Sequence, residues 1–150
     1  MKPRVYLDTT VPSALLDERT PDRCQLTMRF WHERLPEYSP IISVIVQAEI
    51  RETRDPEKRG KLEELVAGFT VLPFSDEADI LSREYLKRGV FPEKYLSDAV
   101  HVATAVVHGL SYLVSWNYKH LVKVNTRREV NLVNALMNFG QIEITVPPEL

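Results

Sequence analysis

A chain of 150 residues, 44% apolar and 27% charged, can bury one sizeable core but is too short for two ordinary domains, so a single domain over residues 1–150 is expected. A formal net charge of −2 excludes a general polycationic nucleic-acid binder, because sequence-independent affinity rests on Lys and Arg neutralising phosphates, and any such contact has to be local. The longest apolar run, Ala99 to Val107, is interrupted by His101 and Thr104 and falls far short of the ~20 residues that span a bilayer, while MKPRVYLD leads into a strand and not a signal-peptide core; a soluble, cytoplasmic protein with no membrane contact is expected.

Arg4 to Asp8 (RVYLD) reads as a buried strand ended by Thr9 and Thr10, with Pro12 suited to the first turn of a helix. Thr20-Pro21 is a cap and first-turn pair for a helix running to about Leu35, its apolar face carrying Leu26, Phe30 and Trp31 and its pattern placing the lone Cys24 as a buried thiol. Ser39 to Ile42 is a second strand, and Ser43 caps a helix containing Val44, Ala48 and Glu49 that Asp55-Pro56 breaks. Glu57 to Ala67 predicts a helix closed by Gly68, followed by the strand Phe69 to Phe74 and a helix opened by Ser75, with acidic residues in its first turn, and stopped by Gly89. Ser97 to His108, apolar nearly all round and ended by Gly109, predicts a helix at the centre of the domain. Ser111 to Ser115 is a fourth strand, Asn125 opens a helix with Val130, Val133 and Leu136 on one side, and Gln141 to Val146 alternates as a last strand.

Strands alternating with helices at this spacing predict an α/β sandwich with a mostly parallel central sheet, in which ligands bind beyond the carboxyl ends of the strands. That rule singles out Asp8, the segment after Ile42 that carries Glu49, and the segment after Ser115 that carries Asn117. A carboxylate at the end of a hydrophobic strand is costly unless neutralised, and a cation, a salt bridge or a helix cap would each serve Asp8. Glu49 falls at the edge of its helix's apolar face, where a surface glutamate is the plain alternative, and Asp98 sits favourably at the positive end of a helix dipole whatever else it does. Spacing alone does not join residues 8, 49 and 98 into one site. If they converge, hard oxygen ligands without a nearby Cys or His pair favour Mg2+ or Mn2+, an ion suited to phosphodiester hydrolysis because it acidifies a bound water and stabilises charge on the phosphate.

The runs YLDTTVPSALLDE (6 to 18), SVIVQAEI (43 to 50), SDAVHVATA (97 to 105) and LVSWNYKHLVKVN (113 to 125) closely resemble, in order, the PIN-domain family, and within it the small prokaryotic proteins grouped with VapC-type toxins. The resemblance implies a three-layer α/β/α sandwich, Mg2+- or Mn2+-dependent cleavage of RNA, a homodimer, and inhibition by a small antitoxin partner. Position by position it puts metal-binding carboxylates at Asp8, Glu49 and Asp98, and a fourth acidic position on Asn117, where this chain departs from the family. An asparagine can offer a carbonyl oxygen but no charge, which implies one well-held ion and a second only with substrate. Thr9 matches the family's hydroxyl residue after the first aspartate, supporting a ligand or forming a turn.

Lys119, His120, Lys123, Arg127 and Arg128 form the one local basic cluster, either a solvated helix face or an RNA contact, with Lys119 and His120 the candidates for touching phosphate. His101 reads as a packed, hydrogen-bonded histidine more readily than as a general acid or base, and Trp116 as core more readily than as a base-stacking platform. The leading expectation is a metal-dependent endoribonuclease, the toxin of a toxin–antitoxin pair, acting on single-stranded or looped RNA. The alternatives are a degenerate PIN domain that binds RNA or protein without cutting, and a phosphotransferase of the haloacid-dehalogenase sort, which Thr10 disfavours by standing where that class has its second aspartate.

Overall fold

Five short segments pair into one sheet in the computed structural model, which describes Met1–Leu150: β1 (Arg4–Leu7), β2 (Ser39–Ser43), β3 (Thr70–Leu72), β4 (Tyr112–Val114) and β5 (Glu143–Thr145). Their order is β3-β2-β1-β4-β5 and every pairing is parallel, so the sheet is wholly parallel and not merely mostly so. Val5, Tyr6 and Leu7 of the central strand are fully buried, as the continuous apolar run of a strand covered on both faces requires. Between the strands run α1 (Thr10–Leu15), α2 (Pro21–Arg29), α3 (Val44–Arg51), α4 (Pro56–Val66), α5 (Asp76–Lys87), α6 (Leu96–Val107) and α7 (Val124–Leu136). One group packs α1 against α2 and α4, and α3 against α4; the other packs α5 against α6 and α7. Right-handed crossovers set the two groups on opposite faces, the three-layer α/β/α sandwich the sequence predicts.

The chain steps outward from β1 to β2 and β3, then returns to place β4 on the other side of β1. Such a reversal leaves a crevice at the carboxyl ends of β1 and β4, where neighbouring connections leave in opposite directions. One contiguous core of 34 buried apolar residues lies beneath it.

Several local expectations shift. The helix from Pro21 is regular only to Arg29; a π turn over Phe30–Arg34 and a 3-10 turn over Leu35–Glu37 follow, because Pro36 cannot continue the ladder. The buried face is then made by Thr27 and Phe30, while Leu26 faces solvent. Thr20 occupies the cap position without a side-chain bond, and Cys24 is half-buried, its thiol donating to the Leu15 carbonyl at 3.4 Å. In α3 the buried residues are Val46 and Ile50, with Val44 and Ala48 exposed. β3 is shorter than the apolar run around it because it is an edge strand paired on one side only, and Val71 and Phe74 stay exposed. Leu136 is exposed while Asn134 is buried in its place, because Asn134 accepts the Tyr85 hydroxyl across the α5–α7 contact.

The stop signals behave as the sequence predicts. Gly109 has φ +78°, and past it Leu110 donates to the Ala105 carbonyl while Gly109 donates to Val106, closing α6 with paired end carbonyls. Asn138, at φ +65°, closes α7 in the same way and carries no glycine to announce it.

Candidate active site

Asp8 follows β1 directly and is almost wholly buried. Its Oδ1 accepts from the Thr10 amide (3.0 Å) and hydroxyl (2.5 Å), and its Oδ2 from Ser115 Oγ (2.5 Å), which arrives from the neighbouring strand β4. Burial pushes the Asp8 carboxyl up; the positive field of His101 and these hydrogen bonds pull the other way.

Glu49 is delivered by α3, whose start is fixed by Ser43 Oγ accepting from the Ile45 amide at 3.2 Å. The half-buried carboxylate is held on three sides: Thr9 Oγ1 donates to Oε1 at 2.7 Å, His101 Nε2 meets Oε1 at 2.6 Å, and Ser97 Oγ donates to Oε2 at 3.1 Å. Behind His101 the Tyr6 hydroxyl lies 2.6 Å from Nδ1 and 2.7 Å from Ser43 Oγ, so a buried line Ser43–Tyr6–His101–Glu49 ties β2, β1, α6 and α3 together. Burial raises the Glu49 carboxyl, but the hydrogen bond and charge of His101, with Thr9 and Ser97, outweigh it and hold Glu49 below the usual range. Burial lowers the His101 imidazole, yet the Glu49 bond and the charges of Glu49, Asp8 and Asp98 raise it overall, which favours an imidazolium paired with Glu49. Burial keeps Tyr6 a neutral phenol.

Asp98 lies in the first turn of α6 and its Oδ1 accepts from Asn117 Nδ2 at 3.2 Å. Burial and then the like charge of Asp8, with a further contribution from Glu49, push its carboxyl up to about 6. Asn117 leaves β4 in a turn in which its own Oδ1 accepts the His120 amide at 3.0 Å, so its carbonyl is spent on the turn and its amide faces Asp98.

The fold therefore brings Asp8, Glu49, Asp98 and Asn117 into one neighbourhood, with Thr9 on Glu49. Asp98 feels the charge of both Asp8 and Glu49, and His101 acts on all three carboxylates. No three His, Cys, Asp or Glu side chains close on a common point with metal-ligand geometry. The donor set nevertheless suits a hard divalent cation: it is all oxygen, and the Asp98 carboxyl, raised by burial and then by the charge of Asp8, is one whose ionised form a cation would favour.

Lys119 is exposed at the rim. The His120 ring lies against Tyr95, with ring centroids 3.5 Å apart, and is held below its ordinary pKa by partial burial and by Lys119, Lys123 and Lys94. Arg127 and Arg128 lie farther along, on α7. Trp116 is core, its Nε1 donating to Thr27 Oγ1 at 2.8 Å. Nothing in the sequence pointed to a site role for Tyr6, Ser97, Thr10 or Ser115, Ser43 reads there only as a helix cap, and His101 reads as structural. His101 is indeed packed and bonded, but its partner is Glu49. Its position one turn after Asp98 was the only local signal.

A family model described as "PIN domain" matches residues 5–124. No curated protein matches the chain in sequence. Among solved structures the fold is similar to VapBC2 from Rickettsia felis bound to a DNA fragment from their promoter (TM-score 0.55, 14% identity, 93% of this chain and 97% of that one). It is also similar to DNA-bound VapBC from Salmonella typhimurium (TM-score 0.54, 18% identity, 95% and 98%). A third neighbour is PAE2754 from Pyrobaculum aerophilum (TM-score 0.51, 18% identity, 96% and 84%).

Proposed function

The chain belongs to the PIN-domain family, and from that premise we propose that it is a metal-dependent endoribonuclease, the toxin component of a toxin–antitoxin pair. The observation that carries the reading is the cluster of Asp8, Glu49 and Asp98 at the reversal of the sheet, with one imidazole to offset three carboxylates. Asp8, Glu49 and Asp98 would hold Mg2+ or Mn2+, which when bound acidifies water and stabilises charge on a phosphate. The chain's own part is to keep those carboxylates aimed. Thr10 and Ser115 fix Asp8, while Thr9, His101 and Ser97 fix Glu49, their directional hydrogen bonds restraining rotation of each carboxyl. Asn117 holds Asp98 without adding charge, which supports one tightly held ion and a second that arrives with RNA.

Likeness to VapBC complexes supports a small antitoxin as partner, and the family supports a homodimer; both are part of the proposal, as is a cytoplasmic setting. No helix is long and apolar enough to cross a membrane.

The same Asn117 favours a second reading, a PIN domain that binds RNA or protein without cutting, since its amide occupies an Asp98 oxygen where the family places an acid. Isothermal titration of Mn2+ into the wild type and Asp98→Asn, with cleavage of a structured RNA pool with and without EDTA, separates the two. Metal binding and EDTA-sensitive cleavage that both vanish in Asp98→Asn support the nuclease; a wild type that neither binds Mn2+ nor cuts leaves the binding module.

A further inference from the structure

Beside the carboxylate cluster a pocket of about 560 Å3 opens between α1, the start of α2 and the turn after β4. Its volume lies within the roughly 300–1,000 Å3 usual for small-ligand sites. Thr9 and Asn117, which hold Glu49 and Asp98, form part of its wall, so one end of the pocket touches the candidate active site. Arg23 lines the pocket as well.

The Arg23 guanidinium lies 5.0 Å from the centre of the Trp116 ring and 5.9 Å from that of Tyr118, yet it makes no hydrogen bond and no ion pair. Arg23 is only partly exposed and its guanidinium donors, unbonded within the protein, are open to an acceptor that enters the pocket. Asp17, also on the pocket wall, pairs with Arg19, at 2.9 and 3.0 Å, and makes no bond to Arg23. The arrangement is held from behind, because Trp116 Nε1 donates to Thr27 Oγ1 and Thr27 Oγ1 donates to the Arg23 carbonyl at 2.7 Å. Tyr118 is 50% exposed, a free aromatic face next to the cation, and Lys119 adds positive charge at the rim.

We propose that this pocket is a nucleotide subsite: Arg23 takes a phosphate of single-stranded RNA next to the one cleaved, and Tyr118 stacks its base. The proposal deepens the nuclease reading and rests on it for the neighbouring scissile phosphate. A bare phosphate would need only the guanidinium; an exposed ring beside it, in a pocket walled in part by the Thr9 and Asn117 that hold Glu49 and Asp98, fits a phosphate and a base together.

The test is binding without cleavage. A short fluorescein-labelled single-stranded RNA of mixed sequence is titrated in EDTA, by anisotropy, with wild type, Arg23→Gln, Arg23→Lys, Tyr118→Ala and Tyr118→Phe. The indole 15N–1H resonances of Trp116 and Trp31 are followed in parallel titrations with the RNA and with inorganic phosphate. Arg23→Gln is expected to weaken RNA binding about 10- to 150-fold, the worth of a charge-assisted bond. Tyr118→Ala should weaken it about 5- to 150-fold, the worth of one stacked base. Tyr118→Phe should bind as wild type, and Arg23→Lys, which keeps the charge and loses the fork, should fall between wild type and Arg23→Gln. RNA should move the Trp116 resonance and leave Trp31 still, and phosphate should move it in wild type and Tyr118→Ala but not in Arg23→Gln. An unmoved Trp116 resonance, or wild-type RNA affinity in folded Arg23 and Tyr118→Ala variants, overturns the subsite. The nuclease reading fails separately: a wild type that binds RNA through this pocket and never cuts with Mn2+ overturns that reading and leaves the subsite standing.

Discussion

Replacing Tyr6 by Phe removes one oxygen from the centre of the molecule and leaves the ring's volume in place. The hydroxyl is fully buried between Ser43 Oγ and His101 Nδ1. Ser43 keeps the Ile45 amide as a partner, whereas His101 Nδ1 is left with none. An unsatisfied buried polar atom costs about 1–3 kcal/mol. At about 2–4 °C per kcal/mol for a domain of this size, the melting temperature should fall by about 2–12 °C. The second consequence is specific to the line of bonds: His101 is no longer fixed from behind and Glu49 loses its aim, so Mn2+ affinity should drop by about 10-fold or more. Tyr85→Phe is the matched control, because Tyr85 is equally buried and donates to Asn134 on the α5–α7 contact, with no bond to the carboxylates. It should lower the melting temperature comparably and leave Mn2+ affinity unchanged. Calorimetric melts and isothermal Mn2+ titrations of both variants decide the matter. If Tyr6→Phe melts like the wild type, or loses no more Mn2+ affinity than Tyr85→Phe, the positioning role assigned to the Tyr6–His101 line is wrong.

Asp98, with a folded-state carboxyl raised to about 6 from an ordinary 3.8, is destabilising when ionised, and that penalty is relieved as pH falls through about 6. Asp98→Asn should therefore raise the melting temperature in EDTA above that pH, with the gain fading below it, and Mn2+ should stabilise the wild type but not the variant; a pH-independent difference would contradict the sign. Asn117→Asp sets a fourth carboxylate against Asp98 in place of an amide donor, so melts should show a less stable metal-free protein and a larger stabilisation by Mn2+ than the wild type gains. Gly109→Ala forces a side chain into a φ of +78°, which costs about 1–2 kcal/mol, and should lower the melting temperature while leaving Mn2+ affinity alone.

The alternation of apolar strands with capped helices was enough to predict a parallel α/β sandwich, because periodicity and stop signals are local properties. β1, the Ser43 and Ser75 caps and the Gly89 and Gly109 stops all lie where the residues place them. Family-like runs put Asp8, Glu49, Asp98 and Asn117 on one list of candidates, though nothing in their spacing joined them. Where local pattern misled, a neighbour or a ladder-breaking residue was responsible: Pro36 ended the helix and a π turn preceded it, while Tyr85 drew the polar Asn134 inward at the expense of Leu136.

Only the tertiary structure decided who holds whom. The return of the chain from β3 to β4 sets Ser115 against Asp8, a contact across 107 positions of sequence, and brings α6 beside α3 so that His101 reaches Glu49. It also sets the Asn117 amide against Asp98 and seats Arg23 on Trp116, two assignments no spacing rule encodes. The sequence carries each residue's chemistry and the period of its element. The partner that sets a carboxylate's charge or leaves a guanidinium's donors free lies tens of residues away, and only the packing of strand ends at the crevice brings the two together.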